Sequence, residues 1–89
     1  MYYVYILQSE SDKQFYTGFT KDLQKRIEEH NSGISRATKG RIPLKVVYYE
    51  FCLNLKDATK RERYLKTTWG KRYIKNRISN YLEETNKCT

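Results

Sequence analysis

The sequence has one histidine, one tryptophan, one proline and two cysteines among its 89 residues. A single histidine excludes a multi-histidine metal centre. Cys52 and Cys88 have no CxxC spacing, so neither a disulfide scaffold nor a four-ligand zinc site rests on them. A reducing, cytoplasmic setting is the expectation. There is no Gly-rich phosphate loop, no HExxH and no nucleophile elbow. No apolar run approaches the roughly 18 residues of a membrane span. The start, Met1 to Leu7, has neither the basic flank nor the length of a signal peptide. With no repeat, low-complexity tract or linker, one domain is expected over residues 1–82, followed by a polar tail, 83–89.

Positive charge and tyrosine are what the chain does have. It carries 18 Lys+Arg against 10 Asp+Glu, a net charge of +8, and nine tyrosines. A domain this small buries only roughly 60–65% of its unfolded surface. Aromatic side chains fill such a thin core efficiently and argue against disorder. The charge is uneven. Residues 1–35 hold four basic and five acidic groups. Residues 36–45 hold Arg36, Lys39, Arg41 and Lys45 and no acid, and residues 54–77 hold nine basic groups against Asp57 and Glu62. A solvated helical surface accounts for some of this. The excess favours a face for phosphate backbones, with DNA or RNA as partner and Arg36, Lys39 and Arg41 as candidate contacts.

The pattern predicts the order β-β-α-β-α-α. Tyr3 to Leu7 and Phe15 to Phe19 read as a hairpin around a polar turn, Ser9 to Gln14. Thr20 is a candidate helix cap, with Asp22 in the first turn. Leu23, Ile27 and His30 then fall at helical spacing, and Gly33 ends the helix. Ser35 to Arg41 is a loop or short helix. Leu44 to Phe51 reads as a third strand, its Val46-Val47-Tyr48-Tyr49 run suggesting burial on both faces. From Leu55 the period is helical: Ala58, Leu65 and Trp69 form one stripe, Gly70 interrupts it, and Ile74, Ile78, Tyr81 and Leu82 form the last. A mixed α/β (α+β) fold follows, a small three-stranded antiparallel sheet flanked by helices.

Three groups of polar residues stand where apolar ones are expected. Tyr5 lies on one face of the first strand with Tyr3, and Tyr16 opens the second. Tyrosine packs well across a hairpin, but a phenol at a cleft also donates to phosphate or relays a proton. Arg26 and His30 share a helix flank. An imidazole at a helix C-terminus is ordinary, while a planar guanidinium beside a group titrating near neutrality makes an anion clamp. Glu62 lies on the Ala58–Leu65 stripe in the most basic segment. An i, i+4 pair with Lys66 is the plain account. A carboxylate ligand for a hydrated Mg²⁺ is the functional one.

Tyr3-Val4-Tyr5 followed by Tyr16-Thr17-Gly18 resembles the two signature tripeptides of the GIY-YIG endonuclease superfamily. The resemblance continues through Leu23, Arg26 and His30, through Thr38 to Pro43, and to Glu62 with Leu65-Lys66. It covers Met1 to about Leu82 and is strongest to the small stand-alone bacterial branch, which resembles the N-terminal nuclease domain of the excision-repair incision subunit. It implies that Tyr5 and Tyr16 line the site, one as base or orienting the attacking water. It further implies that Arg26 holds the scissile phosphate and that His30 assists proton transfer or phosphate contact. Glu62 would bind one divalent cation, Mg²⁺ or Mn²⁺, and Lys66 would touch phosphate. Tyr3, Val4 and Thr17 depart from the family tripeptides. Phe19 stands where many members carry a polar or basic residue, which removes one phosphate contact. A metal-dependent DNA endonuclease acting in repair or recombination is the first expectation, with a larger partner as a source of targeting. A non-catalytic nucleic-acid-binding module of the same fold is the second.

Overall fold

The computed structural model describes residues 1–87, with side chains to residue 85. Strands β1 (Tyr2–Ser9), β2 (Phe15–Thr20) and β3 (Leu44–Cys52) form one antiparallel sheet in the order β2-β1-β3. Helix α1 (Leu23–Asn31) follows the hairpin, and a 3-10 turn (Lys39–Arg41) lies in the loop before β3. Helices α2 (Leu55–Leu65), α3 (Thr68–Arg77) and α4 (Ser79–Lys87) complete the chain. This is the expected α/β class and order, with the last helical stretch divided in two.

Because β1 is the central strand, helices cover it on both sides. Val4 and Ile6 pack with Ala58, Leu65 and Ile74 from α2 and α3. Tyr5 and Leu7 pack with Leu44, Leu23 and Ile27 on the α1 side. All four β1 residues are at most 1% exposed. Each aliphatic one stabilises the fold by about 1.5–3 kcal/mol through burial. Burial on both faces therefore belongs to β1, not to the Val46–Tyr49 run. Strand β3 is an edge, and Tyr49 is 55% exposed.

Local chemistry sets the helix ends. Asp22, rather than Thr20, caps α1 by accepting from the Lys25 backbone N–H, and Thr20 forms a turn over Asp22. Gly33 adopts φ +83° after the last turn, as expected of a residue ending a helix. Asn54 and Thr67 cap α2 and α3. Gly70 does not interrupt a helix. It sits in the first turn of α3 against the end of α2, where a Cβ would strike the Tyr64 carbonyl. Trp69 consequently lies on α3, off the Ala58–Leu65 stripe, and is exposed. The Ile74–Leu82 stripe breaks after Ile78, and α4 continues into the polar tail as far as Lys87. Cys88 and Thr89 lie outside the described residues.

Candidate active site

The hairpin register places Tyr5 opposite Gly18. A Cβ built on Gly18 would come within 2.5 Å of the Tyr5 hydroxyl and 2.7 Å of its Cζ. Glycine at this position is what lets the phenol lie flat across β2. Tyr5 is not exposed at a cleft, as the phenol reading required, but 1% exposed. Its Oη lies 2.9 Å from His30 Nε2. His30 is itself fully buried, and its Nδ1 lies 2.7 Å from Thr38 Oγ1. The half-buried Tyr16 closes against the same imidazole edge-on, ring centroids 5.1 Å apart.

Arg26 stands one helical turn before His30 on α1 and pairs with Glu29 at 3.0 Å. Burial pushes the Tyr5 phenol up to about 12; the Arg26 guanidinium pulls it down, while Tyr16 and Glu62 add to the rise. Burial also pushes His30 below its usual 6.5, and the Arg26 charge lowers it further against Glu29. The buried pair is therefore a neutral phenol and a neutral imidazole near pH 7. Glu62 reaches the cluster from α2. Its side chain is 17% exposed and pairs with Lys66 at 3.7 Å.

Tyr16, Arg26 and Glu62 thus all act on the Tyr5 phenol, and His30 bonds to it, from β2, α1 and α2 around β1. The loop candidates divide. Arg36 and Lys39 are exposed. Arg41 is folded back, its guanidinium 3.4 Å from Asp12 and 3.2 Å from the Phe15 carbonyl, tying the loop to the hairpin turn. Phe19 packs with Val4 and Ile6 on the α2 side of the sheet, the face opposite Tyr5 and α1. Thr38 was not singled out in the sequence. The one signal for it is that a buried imidazole needs a partner for each ring nitrogen.

Among the described residues no group of three or more His, Cys, Asp or Glu is gathered. A single, mostly buried carboxylate does not make a zinc-type cage. It suits a hard divalent cation that keeps most of its water shell.

A three-stranded antiparallel sheet flanked by helices, whose central strand buries a tyrosine against a histidine, defines a small α/β domain. The family model for the GIY-YIG catalytic domain matches residues 1–77. The chain belongs to the GIY-YIG domain family. It is 49% identical over 67 residues to a UPF0213 protein of Clostridium perfringens, spanning 74% of this chain and 71% of that one. A UPF0213 protein of Syntrophus aciditrophicus is 47% identical over 66 residues, 72% and 75% of the two chains. The solution structure of UPF0213 protein BH0048 from Bacillus halodurans aligns over 98% of this chain and 96% of that one, with a TM-score of 0.58 and 32% identity. The family implies nuclease-type chemistry on nucleic acid.

Proposed function

We propose that the protein is an endonuclease that hydrolyses phosphodiester bonds of DNA with the help of Mg²⁺ or Mn²⁺. The observation that carries this reading is the buried Tyr5–His30 pair at 2.9 Å in a GIY-YIG domain, with Arg26 one helical turn from His30 and the Arg26 and Glu62 charges both acting on the phenol. Arg26 holds the scissile phosphate, its planar fork matching two phosphoryl oxygens. Tyr16 is the phenol left half-open to the surface, and it orients or deprotonates the attacking water. Tyr5 and His30 form the floor. Glu62 would hold the cation, which when bound supplies Lewis-acid stabilisation of the charge developing on the departing oxygen. Arg36, Lys39 and Lys66 contact flanking phosphates, whereas Arg41 serves the fold. Residues 1–82 form the catalytic unit, in the cytoplasm and in DNA repair or recombination, where a larger partner supplies targeting. RNA satisfies the same electrostatics.

The test is cleavage in Mg²⁺ on single-stranded, duplex, flapped and branched DNA, with Glu62→Ala alongside. Cleavage should vanish in the variant while binding stays within a few-fold. Survival of cleavage would sink the mechanism.

A second reading is a binding module without catalysis. It is favoured by the pairing of Arg26 with Glu29 and of Glu62 with Lys66, which leaves both groups already neutralised. Intact binding with no cleavage of any substrate would select it.

A further inference from the structure

Trp69 is 68% exposed, more than any other large aromatic described. It is not loosely held. The Thr67 hydroxyl donates to the Tyr64 carbonyl at 2.6 Å and accepts from the Gly70 N–H at 3.1 Å. Gly70 presses α3 directly onto the end of α2. The Arg72 guanidinium lies over the indole, 5.3 Å from its centroid. Between residues 60 and 77 the chain carries eight basic residues and one acid, Glu62. Thr67 and Thr68 alone separate Trp69 from Lys66, a chain reach of at most about 11 Å, and Lys66 pairs with Glu62. An exposed indole on a fixed stretch of backbone, backed by a cation in a positive field, matches the chemistry that holds an unpaired base.

We propose that Trp69 is a stacking platform for an unpaired base of the nucleic acid whose backbone enters the site. The proposal rests on the nucleic-acid reading above and narrows it to substrates with single-stranded character near the incision. Trp69 is the sole tryptophan, so fluorescence excited beyond the tyrosine absorption band reports on it alone. In a chelating buffer that prevents cleavage, a single-stranded oligonucleotide should quench that fluorescence, and a blunt duplex of the same sequence should quench it far less. Trp69→Ala should lose roughly five- to hundredfold in single-strand affinity by anisotropy and keep its duplex affinity within about twofold. Single-strand binding without quenching, or full affinity in the variant, overturns the platform and leaves the nuclease reading standing. Failure of every nucleic acid to bind overturns both.

An independent observation concerns the buried line Thr38–His30–Tyr5. Two hydrogen bonds join three groups that carry three hydrogens: the Thr38 hydroxyl, one imidazole N–H and the Tyr5 hydroxyl. One hydrogen is left over. If Nδ1 carries the imidazole proton, the orphan is that of Thr38, which is fully buried and has His30 as its one side-chain partner among the described residues. If Nε2 carries it, the orphan is that of Tyr5, beside Tyr16, Arg26 and Glu62. A buried donor without an acceptor is costly, and of the two ends only that of Tyr5 has further oxygen-bearing side chains, Tyr16 and Glu62, within electrostatic range.

The geometry points to Thr38 as a positioning residue that donates to Nδ1, fixes the Nε2–H tautomer and turns the Tyr5 hydroxyl hydrogen away from the imidazole, towards the side where Tyr16, Arg26 and Glu62 lie. Tyr5 is then a donor and not the base, in keeping with a phenol held neutral. The sole histidine makes the test a single-residue one. A long-range ¹H–¹⁵N correlation near pH 7 should show Nε2 protonated and Nδ1 bare. Thr38→Val should convert this to a tautomer mixture, and Thr38→Ser should restore it. A wild-type imidazole protonated on Nδ1 overturns the assignment, as does a valine variant with an unchanged tautomer. The readout needs no cleavage, so its failure is separate from failure of the nuclease reading.

Discussion

The Tyr5 hydroxyl and His30 Nε2 lie 2.9 Å apart with both residues sealed from solvent. Sealing keeps the imidazole neutral, which links stability to pH. The folded value is depressed below 6.5, so between those two values the unfolded chain binds more protons. Stability is full above 6.5 and falls as pH drops towards the lowered value. The urea midpoint should therefore decline below that pH, and His30→Gln should flatten the decline. An equal slope in the variant would place the acid sensitivity elsewhere.

Gly18→Ala should destabilise the fold by about 1–3 kcal/mol, because the new methyl meets the Tyr5 ring. In a Tyr5→Phe background the clash with Oη disappears while that with Cζ stays. Partial relief, a coupling of about 0.5 kcal/mol or more, is the outcome expected from a double-mutant cycle of denaturation midpoints.

The loop cations should separate by salt dependence. Arg36→Ala or Lys39→Ala should each lower the slope of log affinity against log salt by roughly 0.9. Arg41→Met should leave the slope alone and lower stability by about 1 kcal/mol, since its guanidinium ties the loop to Asp12 and Phe15. Anisotropy titrations in graded KCl read the first, thermal melts the second.

Gly70→Ala should cost about 3 kcal/mol or more, at the upper end for overpacking, since a Cβ would meet backbone atoms of Tyr64 and Leu65. Backbone does not swing aside as a long side chain does. A melting temperature within a few degrees of wild type would show that α3 slides freely on α2.

The sheet was legible because its strands are short aromatic and β-branched runs, and the signature tripeptides fixed which residues to watch. Strand order within the sheet was less so. Val46-Val47-Tyr48-Tyr49 is an unbroken aliphatic and aromatic run like Val4-Tyr5-Ile6-Leu7, and pairing decides that β1 is central and β3 an edge. Helix breaks at Lys66 and Ile78 carry no proline, so the periodicity runs across them and drew Trp69 into a stripe it does not join. Of the site, side-chain identities were readable and depth was not. Nothing local distinguishes a cleft-facing Tyr5 from one buried under His30, or marks Thr38 among its charged neighbours as the partner of an imidazole.

The central strand acquires its two neighbours at different times. Strand β2 follows β1 after the five residues 10–14, whereas β3 begins only at Leu44 and its far end pairs Tyr2 with Cys52. Hairpins close in about 1–10 μs, and closure over long chain separations is slower. Both tyrosines belong to the hairpin, the local part of the sheet, while α2 with Glu62 lies beyond β3 in the chain. The Glu62 carboxylate thus meets the buried tyrosine only after the chain has supplied all three strands.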